Sequence, residues 1–509
     1  MTFTKLKSHF INWREWELNP IVIKELRQAV RSWAVTGMLI LFLSVLFIAS
    51  LGFLVTQSFS VDTDLRLGGT MFSAFTMILA VASVIFIPLY VGVRVGAERV
   101  DNNPDLLYVS TLSPGRIIRG KFFCGAYMAL LFFSACMPFM AFTNLLRGVD
   151  LPTVFFVLFF LFLVVCLANM FAIFLACLPL SRPFKILFAL IGFIALCFVI
   201  TSVIGFTFSM MRFGLGGTLG TREFWGGVAT AVGIGLGLMG LFYFLAVALI
   251  SPPSMNRALP VRIYLTVIWF LGGLLTVGWA MKTGYAQIIG AWAMISFVLQ
   301  LLSLLVVISN ADQLSARVRR DIPQGGGRRA VAFLFFNGAA GGLLWVAILS
   351  VATFFATKEV LFLGETWSAR GLAMNANDQD QFFTASAATL AYAFAYALTA
   401  LLIQRNFFPK RSPKLAGLLC VLLAGAWAVL PSIVFFFLNQ LSWRSVESLQ
   451  LGNVFNIFSL REDERRVYHL FFAMGWLILM IVLNANWFAR QAKNFRPAGA
   501  GEVPPPLPQ

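Results

Sequence analysis

Apolar residues along this chain gather in long unbroken runs, not in the alternation of a half-buried strand or the stripe of a water-soluble helix. Such runs predict helices that cross a bilayer, because about 20 apolar residues in helical form span ~30 Å of hydrocarbon. Twelve stretches qualify: 34–56, 71–93, 122–145, 152–179, 184–209, 225–250, 263–281, 286–308, 331–357, 381–403, 415–439 and 467–488. Each contains at least 18 consecutive residues without Asp, Glu, Lys or Arg. The first follows 33 residues of charged sequence, with no small-residue cleavage site behind a short core, and reads as a retained helix, not a signal peptide. The expected fold class is an all-α polytopic membrane protein of about 12 transmembrane helices.

Composition agrees. Of 509 residues, 60% are hydrophobic and 12% charged, against about 25% charged in soluble domains, which excludes an ordinary soluble enzyme. The formal charge of +17 would suit nucleic acid, anionic lipid or membrane orientation, and its distribution decides. With twelve spans the intervening segments alternate sides. Those on the side of the amino terminus carry 27 of the 38 Lys and Arg and 9 of the 21 Asp and Glu, a net +18 against −1 opposite. The basic residues recur in every second loop and form no single patch, so nucleic acid is set aside. The positive-inside rule places both termini in the cytoplasm.

Outside the spans, residues 13–33 read as an amphipathic helix, with Asn19 as cap and Pro20 at the first helical position. Val22, Leu26, Ala29, Val30 and Trp33 form its expected apolar face, opposite Lys24, Arg27, Gln28 and Arg31. Such a helix can lie among lipid headgroups. Residues 94–121 form a charged segment between spans two and three, in which Asn103 and Pro104 can start a helical turn through Asp105, Leu106, Leu107 and Val109. Ser113, Pro114 and Gly115 are expected to break it. Four regions follow: a cytoplasmic segment 1–33, a six-helix block 34–250, a second six-helix block 251–488 and a proline-rich cytoplasmic tail 489–509. The blocks share a basic loop between their second and third spans (94–121 and 310–329) and a longer outer loop before their last (210–224 and 440–466), without residue-level repetition.

Candidate chemistry is sparse. Gly115–Lys121, GRIIRGK, matches seven positions of a phosphate-binding loop, but Phe122 stands where Ser or Thr should meet magnesium. Gly235, Gly237 and Gly240 lie inside span six, where, with Gly233, they suit close helix packing. His9 and His469 are too few and too far apart for a metal site, and the six cysteines read as small buried apolar residues. Asp62 and Asp64 in the first outer loop admit an alternative, a lipid-dependent glycosyltransferase, on a loop of only about 14 residues. Gln287, Gln300, Asn484 and Asn486 are expected to hydrogen-bond neighbouring helices. Spans whose apolar stretches hold no Asp, Glu, Lys or Arg lack the relay that ion-coupled carriers use, although an ATP-independent carrier or scaffold remains a third class.

NPIVIKELRQAVRS before the first span and AERVDNNPDLLYVSTLSPGRIIRGK after the second together resemble the permease subunits of type-2 ABC transporters. The resemblance covers residues 19–250. It implies an elbow helix carrying Lys24, Glu25, Leu26, Arg27 and Arg31, and a cytoplasmic coupling helix in which Pro104, Asp105, Leu106, Leu107, Val109 and Ser113 contact a separate ATP-binding subunit. It also implies an exporter in the cell (inner) membrane, with ATP and magnesium on the partner and no cofactor in this chain. Family members carry six spans and pair as two copies, so twelve spans imply either a pseudo-dimer within one chain, with Gln313–Asp321 as a second coupling surface, or a homodimer with an accessory block. The substrate is not implied.

Overall fold

The computed structural model describes residues 20–59, 67–101, 113–146, 149–179, 182–213, 220–252, 254–285, 287–310, 314–367, 376–437, 450–457 and 463–497. The described residues are helical apart from short turns, with no strand among them, and twelve helices are long and apolar enough to cross a membrane. The chain is an all-α, multi-pass membrane protein. Large apolar side chains such as Phe198, Leu275 and Val482 stand exposed on the long helices. In water such surface would be unstable, whereas against lipid it is the expected outer face.

The chain divides into two units, Met1–Pro252 and Pro253–Gln509. In the first, a short α1 (Pro20–Val30) precedes α2 (Trp33–Phe59). The second span is composite: α3 (Leu67–Val81), a π-helical turn (Ala82–Phe86) and α4 (Ile87–Asp101). Pro88 supplies the physical cause, since it has no N–H for the carbonyl four residues back and its ring crowds that turn, and a widened turn relieves both. Then follow α5 (Pro114–Leu145), α6 (Leu151–Cys177), α7 (Arg182–Phe213) and α8 (Arg222–Ile250). α6 is the hub, packed on α4, α5, α7 and α8. The core fills around Phe42, Phe72, Phe75, Phe132 and Leu161.

The second unit comprises α9 (Ala258–Thr283), α10 (Gln287–Ile308), two short helices α11 (Ala316–Arg320) and α12 (Gly326–Phe335), then α13 (Ala339–Trp367), α14 (Ala376–Phe407), α15 (Lys414–Phe437) and α16 (Asp463–Asn494). Here α14 is the hub, packed on α10, α13, α15 and α16. Counted along the long helices of each unit, the fourth thus touches the second, third, fifth and sixth in both.

Several boundaries differ from expectation. The span expected at 331–357 is interrupted at Phe336–Gly338, where Gly338 has φ +134°, and the long helix begins only at Ala339. Arg262, expected in a loop, is buried inside α9 and donates from Nη1 to the carbonyls of Leu334 and Phe336 (both 2.7 Å) and from Nη2 to that of Gly338 (3.2 Å). The Leu334 and Phe336 carbonyls are ones the interruption leaves without helical donors, whereas that of Gly338 also accepts from Gly342 N (3.4 Å). Asn337 closes the joint by accepting from Ala258 N (2.9 Å) and donating to Met255 O (3.1 Å). Cys197 is exposed on α7, unlike the other five cysteines, because the outer face of that helix turns away from the core.

Candidate functional site

The two sequence elements singled out above meet at one end of the first unit. α1 lies against the first turns of α5, with Val22, Glu25 and Ala29 buried. Lys24, Arg27 and Arg31 are exposed, as their place on the polar face predicts, and Leu26 is half-buried. Two residues depart from expectation: Val30 is 72% exposed, and Trp33, 87% exposed, lies beyond the end of α1 at the start of α2, so the helix expected to reach residue 33 stops at Val30 and Glu25 occupies its inward face. Glu25 follows Val22 by three residues and precedes Ala29 by four, which is one helical stripe.

What draws Glu25 inward is Lys121. The α5 helix starts at Pro114, eight residues before the expected span, because Pro114 suits a first helical position, which makes it a start and not a break. Arg116, Arg119 and Lys121 therefore ride on helix. Lys121 Nζ donates to Glu25 Oε1 at 3.1 Å and to Glu98 Oε2 at 2.5 Å. The Lys121 and Glu25 side chains are 8% and 6% exposed and Glu98 is 37% exposed. One ammonium thus joins three elements: α1, the end of α4 and the start of α5.

Arg94 extends the cluster. Its guanidinium donates to Tyr90 Oη (2.9 Å) and to Gln28 Oε1, and lies 5.5 Å from the centre of the Tyr90 ring. With Arg94 counted, the cluster holds two cations and two carboxylates. The remaining void between Glu25, Tyr90, Arg94, Lys121 and Cys124 is only about 10 Å³, room for no more than about one water. The group is a fastening, not a ligand cavity. From the other side, Tyr243 of α8 donates to the Gly115 carbonyl (3.4 Å), and a Cβ at Gly115 would sit 2.8 Å from its hydroxyl. About two to three turns further along α5, Asn169 of α6 donates to Phe122 O (3.1 Å) over Gly125, where any Cβ would collide with the amide.

Ser113 is exposed in extended conformation immediately before α5, its carbonyl accepting from Arg116 N at 2.9 Å. Pro104, Asp105, Leu106, Leu107 and Val109 lie outside the described residues, as do His9, Asp62, Asp64, Gln313 and residues 498–509 of the expected tail, whose first residues, 489–494, instead continue helix α16. The structure therefore brings together the two ends of the stretch 102–112 and α1. Sequence reasoning missed the Glu25, Glu98 and Lys121 grouping, although a glutamate on an apolar stripe was a signal that it needed a buried cation.

In the second unit, Gln300 Nε2 and Trp269 Nε1 both donate to Thr353 Oγ1 (2.8 Å each), which ties α9, α10 and α13. Asn484 donates to Leu398 O (3.3 Å) and accepts from Arg405. These two bear out the packing role expected of the intramembrane amides, whereas Gln287 and Asn486 are exposed. A Cβ at Gly235 would lie only 3.0 Å from Leu163 of α6, as at a packing glycine, but one at Gly233 would meet open space. His469 is buried with Nδ1 3.2 Å from Tyr392 Oη, and that hydroxyl accepts from Gly452 N (3.0 Å). No group of three or more His, Cys, Asp or Glu that could hold a metal occurs among the described residues. No family model, curated protein or solved structure matches this chain.

Proposed function

We propose that the chain is the membrane-spanning permease subunit of an ATP-driven exporter, energised by a separate ATP-binding subunit that brings ATP and magnesium. The observation that carries this reading is the ion cluster on Lys121. A loop that receives force from a motor must pass it to the helices it joins, and here both flanks of residues 102–112 share a buried cation with the elbow helix. A displacement of the loop would move α1, α4 and α5 together, because separating them strands a buried charge, which costs several kcal/mol. Tyr243 extends the linkage to α8. On this reading the Lys- and Arg-rich ends face the cytoplasm of the cell (inner) membrane, and the like neighbour sets of the two units favour one chain supplying both halves over a homodimer.

The test is association. The tagged full-length chain, extracted gently from its native membrane, should carry a vanadate-sensitive ATPase. Leu107→Asp should release that activity while leaving the chain monodisperse, since a carboxylate in an apolar contact is costly to desolvate. A monodisperse wild-type chain with no associated ATPase would refute the proposal.

A further inference from the structure

The second unit holds a larger and chemically different cavity, of about 250 Å³, where the end of α16 meets α11 and the α12–α13 joint. By comparison, ~15 Å³ on the same measure admits one water. Arg319, Asn337, Gln491 and Asn494 line it with Phe333 and Phe495. Arg319 Nε is buried there without a hydrogen-bond partner among the described residues. A buried guanidinium N–H is seldom left so, because a buried unpaired donor forfeits its hydration with no return.

The wall is built. α11 is only one turn long, but Ser315 Oγ accepts from Val318 N (3.3 Å) and donates to Ser254 O (3.0 Å). Val318, Ile322, Phe336 and Phe495 then form an apolar cluster beneath it. Phe495 meets Phe333 and Phe336 edge-on, with ring centres 5.3 and 5.7 Å apart. Arg319 is therefore held at the cavity by a fixed support.

The chemistry of the lining selects an anion. In 314–338 and 490–497, the segments that form and flank the cavity, the one acidic residue is Asp321, and it is exposed. Arg317, Arg320, Arg328, Arg490, Lys493 and Arg496 on the same segments are exposed as well, a field that draws anions inward. An arginine fork with nearby amide donors matches the several acceptor oxygens of a phosphate group. Depth agrees, since the last membrane span ends at Asn494, at the level where lipid headgroups lie. We infer that this cavity binds a phosphate oxyanion, supplied by the headgroup of an anionic phospholipid or as free phosphate, with Arg319 as its principal ligand. Basic pockets between helices at a membrane surface take anionic headgroups in this way. The site is independent of the Lys121 cluster and of the transport reading.

The experiment uses the purified full-length chain in neutral detergent. One arm measures retention of phosphatidylglycerol against phosphatidylcholine by native mass spectrometry, and the other measures binding of radiolabelled inorganic phosphate. Wild type should retain phosphatidylglycerol preferentially or bind phosphate, and whichever arm responds names the source. Arg319→Gln should lower that signal about tenfold, the scale of a lost charge-assisted contact. Arg411→Gln, which removes an exposed cation elsewhere in the unit, should leave it unchanged. Equal signals in wild type and Arg319→Gln, or equal losses in both variants, would overturn the assignment. Should Arg319→Gln fail to fold, Asn494→Leu takes its place under the same criteria.

Discussion

Replacing Lys121 by Met removes the cation that touches both Glu25 and Glu98. The two carboxylates are unequally placed, and this sets the magnitude. Glu25 is 6% exposed, so stripping its partner leaves a charge in the interior, a cost of about 3–5 kcal/mol. Glu98 is 37% exposed and solvent screens it, so its share is about 0–1 kcal/mol. Separation of α1 from α5 should therefore become easier by about 3 kcal/mol or more, roughly a hundredfold in the open population. Cys124 reports on that opening: it is buried, three residues from Lys121, and lines the same small void. With the exposed Cys197 changed to Ala, a water-soluble maleimide should alkylate Cys124 about a hundredfold faster in Lys121→Met than in the parent. Glu98→Gln should accelerate labelling by less than about fivefold. The double variant Glu25→Gln/Lys121→Met should label more slowly than Lys121→Met alone, because it buries no unpaired charge. Parental labelling of Lys121→Met, or a double variant as open as the single, would refute the reasoning.

Two further predictions concern the second unit. Arg262→Lys keeps the charge but replaces a fork that reaches three carbonyls with a single ammonium. It should cost about 2–4 kcal/mol at ~1.5–3 kcal/mol per charged hydrogen bond lost, read as a lower unfolding midpoint in detergent. Gly452→Ala faces both a φ of +99° and a Trp427 ring whose Cε3 would lie 2.4 Å from the new Cβ. It should destabilise by about 2–4 kcal/mol and alter the tryptophan emission, whereas Gly425→Ala, where nothing lies within 4 Å, should do neither.

The number of membrane-spanning helices, their order and their tendency to face lipid were legible from the sequence alone, because a backbone in hydrocarbon must satisfy its hydrogen bonds internally and a run of apolar residues leaves helix as the available form. The short helix α1 before the first span was legible too, from Pro20 and a 3.6-residue period. Which way it faced was not. Apolarity argued for Val30 and Trp33 inward, but inside a membrane protein apolar residues are at home on either side, so hydrophobicity loses its power to tell inside from outside. Ions retain that power, and the pairing of Glu25 with a lysine 96 residues away turned the helix. The same physics explains Arg262: its charge marked it as a loop residue, yet the interrupted helix ahead of α13 presents bare carbonyls that a buried guanidinium satisfies. Periodicity determined what this chain is made of, and only the tertiary structure decided where its few buried charges go, because each needs a partner distant in the sequence.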